Sequence, residues 1–167
     1  MKTLADIKKI AVLGAGTMGP GIAQIYAMGG YPVTMWTRSE ATREKAKTTL
    51  HSSLETFREE GLLSEDVETI YARVDFALTV EECIAGADFI QETIVENRDA
   101  KKELYDKVAE TVSPDAIIAS NTSGLNIFEI VPEKLLPQMT IAAFPFRCEA
   151  ADGGMVRLVA WEEGTKW

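Results

Sequence analysis

The stretch KKIAVLGAGTMGPGIAQ, residues 8–24, decides the fold. Its first six residues form a short, largely apolar run, as expected for a parallel strand that is buried on both faces. A glycine-rich turn, GAGTMG at 14–19, follows directly, and apolar positions then recur at helical spacing until Gly29 and Gly30. The stretch therefore predicts a strand, a tight turn and a helix, which together begin an α/β sheet.

The turn has the spacing GxGxxG, which indicates dinucleotide binding when a buried strand precedes it and a helix opens inside it. Gly14 allows the tight turn, Gly16 leaves room for a diphosphate beside the backbone, and Gly19 lets the helix pack close to the sheet. The helix N-terminus offers unpaired N–H groups and a partial positive charge, and Pro20 falls where a missing N–H costs least. A glycine turn without a ligand is the alternative. We predict that a dinucleotide contacts Gly14, Gly16, Thr17, Met18 and Gly19.

The rest of the chain alternates short apolar runs with amphipathic segments. This alternation predicts an α/β fold with a doubly wound, mostly parallel sheet, which is a Rossmann-type dinucleotide-binding domain over residues 1–167. Strands are expected at 8–13, 31–36, 74–78, 87–95, 116–120, 139–144 and about 155–161, and helices at 22–30, 40–61, 64–73, 79–86, 98–112 and 126–131.

Composition limits the class of protein. The 167 residues are 46% hydrophobic and 26% charged, as in ordinary globular domains. The formal charge of −9 disfavours partners such as nucleic acid or an anionic membrane, because binding them requires clustered Lys and Arg. Cys83 and Cys148 lie far apart without metal-ligand spacing, which predicts no metal site and a reducing compartment, the cytoplasm. No apolar run is long enough for a membrane span.

The end of the second strand, TRSE at 37–40, bears on the choice of cofactor. An acid usually stands there to accept hydrogen bonds from the adenosine ribose, and it repels a 2′-phosphate. Thr37 does not repel that phosphate, and Arg38 could pair with it or stack on adenine. Alternatively, Arg38 is solvated and Glu40 reaches the ribose. The cofactor is therefore NAD or NADP, with NADP favoured.

Three motifs follow one another in the chain: LGAGTMGPGIAQ at 13–24, ETIVENRDAKKELYDKV at 92–108 and ASNTSGLNIFEI at 119–130. Together they make the chain resemble the NAD-binding domain of the 3-hydroxyacyl-CoA dehydrogenases, from about Lys8 to Ile130. That family includes 3-hydroxybutyryl-CoA dehydrogenase, and related members act on gulonate or carnitine. The resemblance implies hydride transfer between a nicotinamide and a 3-hydroxy or 3-oxo substrate.

The resemblance also implies roles for single residues. Glu96 and Lys101 would lie near the nicotinamide ribose, Ser123 would touch the substrate oxygen or the nicotinamide, and Asn121 would hold the turn after the fifth strand. Without the resemblance, these residues read as a charged helix N-terminus and a polar turn.

The chain departs from the family at the catalytic dyad. The family places a histidine after the sixth strand, in a segment like HFFNP, and orients it with a glutamate in a following LVEV. Here AAFPFRC, residues 142–148, puts Ala143 at the histidine position, and RLVAW puts Ala160, or Arg157 on a shifted register, at the glutamate position. The only histidine of the chain is His51, which is expected on the surface of the second helix or packed against another helix. The dyad is therefore expected to be absent.

A second departure is length. The family adds a helical domain that completes the substrate site and forms a dimer, whereas this chain stops at Trp167. A truncated product, a separated domain or one half of a two-chain enzyme would each fit, and a homodimer would form through the missing domain. Loop residues that could act instead of the dyad include Glu149 or Asp152 as a base, and Arg147 as a carboxylate ligand.

Three functions remain open on this reading. The first is an oxidoreductase domain for an acyl-CoA or a small hydroxy acid. The second is a catalytically inactive dinucleotide-binding or redox-sensing module, and the third is a structural domain, which the intact glycine turn disfavours.

Overall fold

The fold was analysed in a computed structural model, which describes residues 4–143 and 157–160. Strands and helices alternate along the chain in the order that the sequence predicts. The strands are β1 (Ile10–Leu13), β2 (Val33–Trp36), β3 (Val74–Ala77), β4 (Phe89–Glu92), β5 (Ile117–Ser120), β6 (Met139–Ala143) and β7 (Arg157–Ala160), and the helices are α1 (Gly19–Met28), α2 (Glu40–Glu59), α3 (Val67–Tyr71), α4 (Val80–Ile84) and α5 (Arg98–Thr111).

The strands form one sheet in the order β3-β2-β1-β4-β5-β6-β7. Neighbours from β3 to β6 are parallel, and β7 pairs with β6 antiparallel, with Thr140 opposite Ala160. The strand order reverses between β1 and β4, which is where α/β proteins bind ligands, outside the carboxyl ends of the strands. The sheet confirms the predicted doubly wound, mostly parallel fold of the Rossmann type.

Helices cover both faces of the sheet, and each face has its own apolar core. One core joins α1, α2 and α3 to the sheet through residues such as Ile22, Leu50 and Ile70. The other joins α4 and α5 to it through residues such as Cys83 and Val108. Because both faces of the sheet are buried, the central strand β1 is apolar throughout.

Several observed elements are shorter than predicted, and two differences lie near the ends of β4 and β5. A strand was expected at 87–95, but β4 ends at Glu92, where the N–H of Ile94 donates to the carboxylate of Glu92 and the backbone leaves the sheet. Instead of a helix at 126–131 there is a 3₁₀ turn at Ile127–Glu129, and a further 3₁₀ helix at Glu133–Gln138 was not predicted. The final strand, expected at about 155–161, corresponds to β7.

Candidate functional site

The glycine turn connects β1 to α1 at the point where the strand order reverses. Gly14 has a φ of +125°, and a Cβ atom there would lie 2.9 Å from the carbonyl oxygen of Thr93. A Cβ atom at Gly19 would lie 2.0 Å from the carbonyl oxygen of Gly14, so a side chain would force the helix away from the turn. A Cβ atom at Gly16 would meet no protein atom within 4 Å. Gly14 and Gly19 are thus required by the fold, whereas Gly16 faces open space.

The N-terminus of α1 differs from those of the other four α-helices. The side chains of Ser39, Asp66, Thr79 and Asn97 cap α2, α3, α4 and α5, each by accepting a backbone N–H. Within the described ranges, no side-chain hydrogen bond caps α1. Its first N–H groups therefore remain for an anion, and Pro20 occupies the first turn, where the helix needs no donor.

A cavity of about 430 Å³ opens beside this turn. Its walls come from the glycine turn, the end of β2, the segment after β4 and one face of α5. A diphosphate fits next to Gly16, because that position leaves the backbone uncovered. The lining residues are Gly14, Ala15, Gly16, Trp36, Arg38, Thr42, Thr93, Ile94, Val95, Ala100, Glu103, Leu104 and Lys107.

The end of β2 places Thr37 and Arg38 differently. Thr37 is buried, and its hydroxyl donates to the carbonyl oxygen of Ala77 at 3.4 Å, across the ladder to β3. Arg38 is exposed and lines the cavity. Glu40, the alternative ribose ligand, forms an ion pair with Arg43 on the first turn of α2.

A buried carboxylate, Glu92, lies at the carboxyl end of β4. Its Oε1 accepts from the ammonium of Lys101 at 2.6 Å and from the N–H of Ile94 at 2.8 Å. Its Oε2 accepts from the hydroxyls of Tyr105, at 3.0 Å, and Ser120. The side chains of Glu92 and Lys101 are both completely inaccessible to solvent. We call Glu92, Lys101, Tyr105 and Ser120 the Glu92 cluster.

Glu96 connects this cluster to the turn after β5. Its Oε2 lies 3.4 Å from the ammonium of Lys101. Its Oε1 accepts from the hydroxyl of Thr122 and from the N–H groups of Ser123 and Gly124, at 3.2 and 3.1 Å. Glu96 therefore fixes the turn on which Ser123 is exposed. In the same turn, the N–H of Asn121 donates to the carbonyl oxygen of Glu92, and its side-chain amide donates to the hydroxyl of Thr93.

Two pKa values are shifted at this end of the sheet. Burial would raise the pKa of Glu96, but hydrogen bonds from Thr122, Gly124 and Ser123, together with the charge of Lys101, outweigh it and lower that pKa. Burial, and next the negative charge of Glu92, raise the pKa of Tyr105 well above its ordinary value, so its phenol remains a donor.

The residues that the resemblance aligns with the family's dyad lie on the last two strands. Ala143 ends β6, and its partner across the antiparallel ladder is Arg157 of β7, whereas Ala160 lies opposite Thr140. His51 lies where α2 meets α3: its Nε2 is 3.0 Å from Glu68, and its ring packs edge-to-face on Tyr71. The loop residues named as possible substitutes, Arg147, Glu149 and Asp152, lie outside the described residues.

The sequence reading missed most of the Glu92 cluster. It assigned Lys101 to the nicotinamide ribose and gave Glu92, Tyr105 and Ser120 no role. Two signals were available. Ser120 ends the apolar run that forms β5, and Lys101 and Tyr105 are four residues apart, on one face of α5.

Two negative findings apply to the described part of the chain only. No helix there is long and apolar enough to cross a membrane. No group of three or more His, Cys, Asp or Glu side chains there is placed to hold a metal ion.

Comparisons with known proteins show the family of the chain. The family model for the NAD-binding domain of 3-hydroxyacyl-CoA dehydrogenase matches residues 9–147. A Bacillus subtilis protein named "Probable 3-hydroxybutyryl-CoA dehydrogenase" is 37% identical over 137 residues, which cover 81% of this chain and 47% of the relative. L-carnitine dehydrogenase of Pseudomonas putida is 32% identical over 149 residues, which cover 87% and 44%. The chain thus spans less than half the length of these curated relatives.

Solved structures give the same result. The crystal structure of (S)-3-hydroxybutyryl-CoA dehydrogenase from Ralstonia eutropha is 30% identical, with a TM-score of 0.76 over 84% of this chain and 50% of that one. A diketoreductase structure, at 22% identity and a TM-score of 0.81 over 90% of this chain and 54% of that one, shares the fold. The chain belongs to the 3-hydroxyacyl-CoA dehydrogenase family and carries its NAD-binding domain.

Proposed function

We propose that this chain is the dinucleotide-holding part of an oxidoreductase that moves a hydride between a nicotinamide cofactor and a 3-hydroxy or 3-oxo substrate. The observation that carries the proposal is the uncapped N-terminus of α1 beside Gly16, where a side chain would meet no protein atom. A diphosphate bound there would accept hydrogen bonds from the free N–H groups. The bound cofactor would supply or accept the hydride, and this chain's residues would hold and orient it.

Among the described residues, we assign different parts of the cofactor to two sets of residues. Gly14, Gly16, Thr17, Met18 and Gly19 would hold the diphosphate, and Arg38 would meet the adenosine ribose. Around the nicotinamide end would lie Glu96, Lys101, Asn121 and Ser123, with Ser123 touching the substrate oxygen or the nicotinamide and Asn121 holding its turn.

We propose NADP as the preferred cofactor. The hydroxyl of Thr37 already donates to Ala77, so this residue supplies neither the acid that grips the ribose hydroxyls nor a charge that repels a 2′-phosphate. Arg38 lines the same cavity with its side chain exposed, and a guanidinium can bind a phosphate with two parallel hydrogen bonds.

The substrate would be an acyl-CoA or a small hydroxy acid, as the names of the relatives suggest for them. Oxidation of a secondary alcohol needs a base, and neither Ala143 nor Ala160 has a group that can take a proton. The base would then come from elsewhere: a loop residue such as Glu149 or Asp152, or a further domain that also forms a dimer. A cytoplasmic location suits the buried free thiol of Cys83.

A second candidate is a catalytically inactive dinucleotide-binding or redox-sensing module. This candidate is favoured because the only histidine of the chain, His51, lies on α2 and packs on Tyr71 of α3.

The test has two stages. Titration calorimetry with NAD, NADH, NADP and NADPH should show dinucleotide binding, tighter for the phosphorylated pair. No binding of any of the four would overturn the proposal. Turnover of acetoacetyl-CoA or of an oxo acid by the longest natural form of the protein would exclude the inactive module, whereas binding without any turnover would favour it.

A further inference from the structure

The Glu92 cluster lies under the half of the site that would receive the nicotinamide. A dinucleotide lies across the crevice where the strand order reverses, with one nucleoside over each half of the sheet. The glycine turn and Arg38 belong to the half built on β1 and β2. The second nucleoside would therefore lie over the ends of β4 and β5, beside Glu96 and the turn at 121–124.

The charges at this end of the sheet do not cancel. Two carboxylates, Glu92 and Glu96, share one ammonium, that of Lys101, so one negative charge remains. The ammonium is divided unequally, because it lies 2.6 Å from Glu92 and 3.4 Å from Glu96. Arg98, two residues after Glu96, lies 3.9 Å from Glu129, and both side chains are exposed, so this pair is neutral in sum.

We propose that Glu92 sets the redox-form preference of the bound nicotinamide cofactor. By holding Lys101 as its closer partner, Glu92 leaves the charge of Glu96 only partly compensated at the nicotinamide end of the site. The oxidised ring carries a positive charge and the reduced ring is neutral, so this surplus favours the oxidised form. The inference rests on the proposed function, because it requires a nicotinamide dinucleotide in the cavity.

The surplus charge should change the ratio of the two dissociation constants rather than both constants alike. Both redox forms share the adenine, the two riboses and the diphosphate, so contacts to those groups cancel when the two dissociation constants are divided. What remains is the interaction of one charge on the ring with the net charge below it. At a partly exposed site, this interaction changes the ratio of the two dissociation constants about threefold.

Four variants separate charge from structure. Glu92→Gln leaves Lys101 to neutralise Glu96, and Glu96→Gln removes the surplus charge directly. Lys101→Met adds a second uncompensated negative charge. The double variant Glu92→Gln/Lys101→Met removes the buried pair and restores a surplus of one negative charge.

The experiment measures the dissociation constants of the oxidised and reduced forms by calorimetry, using whichever of NAD and NADP binds more tightly. We expect the ratio of the oxidised-form to the reduced-form constant to rise about threefold in Glu92→Gln and in Glu96→Gln, to fall in Lys101→Met, and to return to the wild-type value in the double variant. ADP-ribose, or its 2′-phosphate if NADP binds more tightly, has no nicotinamide ring. Its affinity should change little in Glu92→Gln, because the charge on the ring is missing from this ligand.

The outcomes are distinguishable. If the wild-type chain binds neither redox form, the proposed function fails and the inference fails with it. If both forms bind but the ratio is the same in all variants, or if the double variant behaves like Glu92→Gln, only the inference is overturned. If Glu92→Gln does not fold, Glu96→Gln alone tests the proposal, because Glu96 is partly exposed. An unchanged ratio of dissociation constants in that variant refutes the proposal.

Discussion

The ammonium of Lys101 lies 2.6 Å from the carboxylate of Glu92, and solvent reaches neither side chain. Such a pair is tolerated in a protein interior only when the remaining hydrogen-bonding capacity is also used. Here Ile94, Tyr105 and Ser120 complete the coordination of the carboxylate, each by donating to it. Replacing one partner of this pair should therefore cost more stability than replacing both.

Lys101→Met should lower the free energy of unfolding by about 3 kcal/mol, because it leaves the Glu92 carboxylate buried without its counter-charge. Adding Glu92→Gln should recover part of the loss. Lys102→Met is the matched control: Lys102 pairs with Asp106 on the exposed side of α5, and the loss of this pair should cost about 0.5 kcal/mol or less. Urea denaturation of the four proteins measures this, and equal losses at 101 and 102 would contradict the burial argument.

Substitutions in the glycine turn should separate binding from stability. Gly19→Ala should destabilise the fold, because its Cβ would lie 2.0 Å from the carbonyl oxygen of Gly14. Gly16→Ala should leave the thermal midpoint nearly unchanged and weaken dinucleotide binding about tenfold, because its Cβ enters the space of the diphosphate. Gly21→Ala serves as the control, because Gly21 lies on α1 and a Cβ atom there would also meet no protein atom within 4 Å. It should change neither the cofactor affinity nor the fold. Full cofactor affinity in Gly16→Ala would argue against a diphosphate at this turn.

Arg38→Ala should weaken NADPH binding much more than NADH binding, by about tenfold against twofold or less, because only NADPH carries the 2′-phosphate. Arg58→Ala removes the same charge at the far end of α2, where Arg58 pairs with Glu55, and should affect both cofactors equally. Calorimetry with both cofactors gives the answer. A wild-type preference for NADH, or equal losses in Arg38→Ala, would remove the role proposed for Arg38.

The contribution of Glu96 to stability should depend on pH. Its pKa is below the ordinary value of 4.5 in the folded state, so the ionised group stabilises the fold fully above that value. The contribution is lost as the pH falls from 4.5 through the lowered folded-state pKa. Thermal unfolding of the wild type and Glu96→Gln between pH 7 and pH 3 should show a stability difference that is constant at neutral pH and shrinks in acid. A difference that grows in acid would reverse the sign and contradict the structure.

The sequence revealed the parts of the fold that depend on local patterns. Apolar runs and glycines marked the strands and the turn at 14–19, because a buried parallel strand and a left-handed turn each restrict the residue types allowed. The 3₁₀ helix at Glu133–Gln138 has no such periodicity and was missed. The pairing of Glu92 with Lys101 was missed for a different reason: charged residues are usually exposed, and only the folded sheet shows that β4, β5 and α5 enclose them.

The buried hydroxyl of Thr37 has a consequence for anyone who wishes to redesign coenzyme choice. Writing an aspartate into position 37, the obvious route to an enzyme that uses NAD, would set an anion against the lone pairs of the Ala77 carbonyl, in a place that water does not reach. The end of β3 at Ala77 would first have to be reshaped before an aspartate could be placed at position 37. Position 38, open to solvent, is the residue that can be exchanged freely.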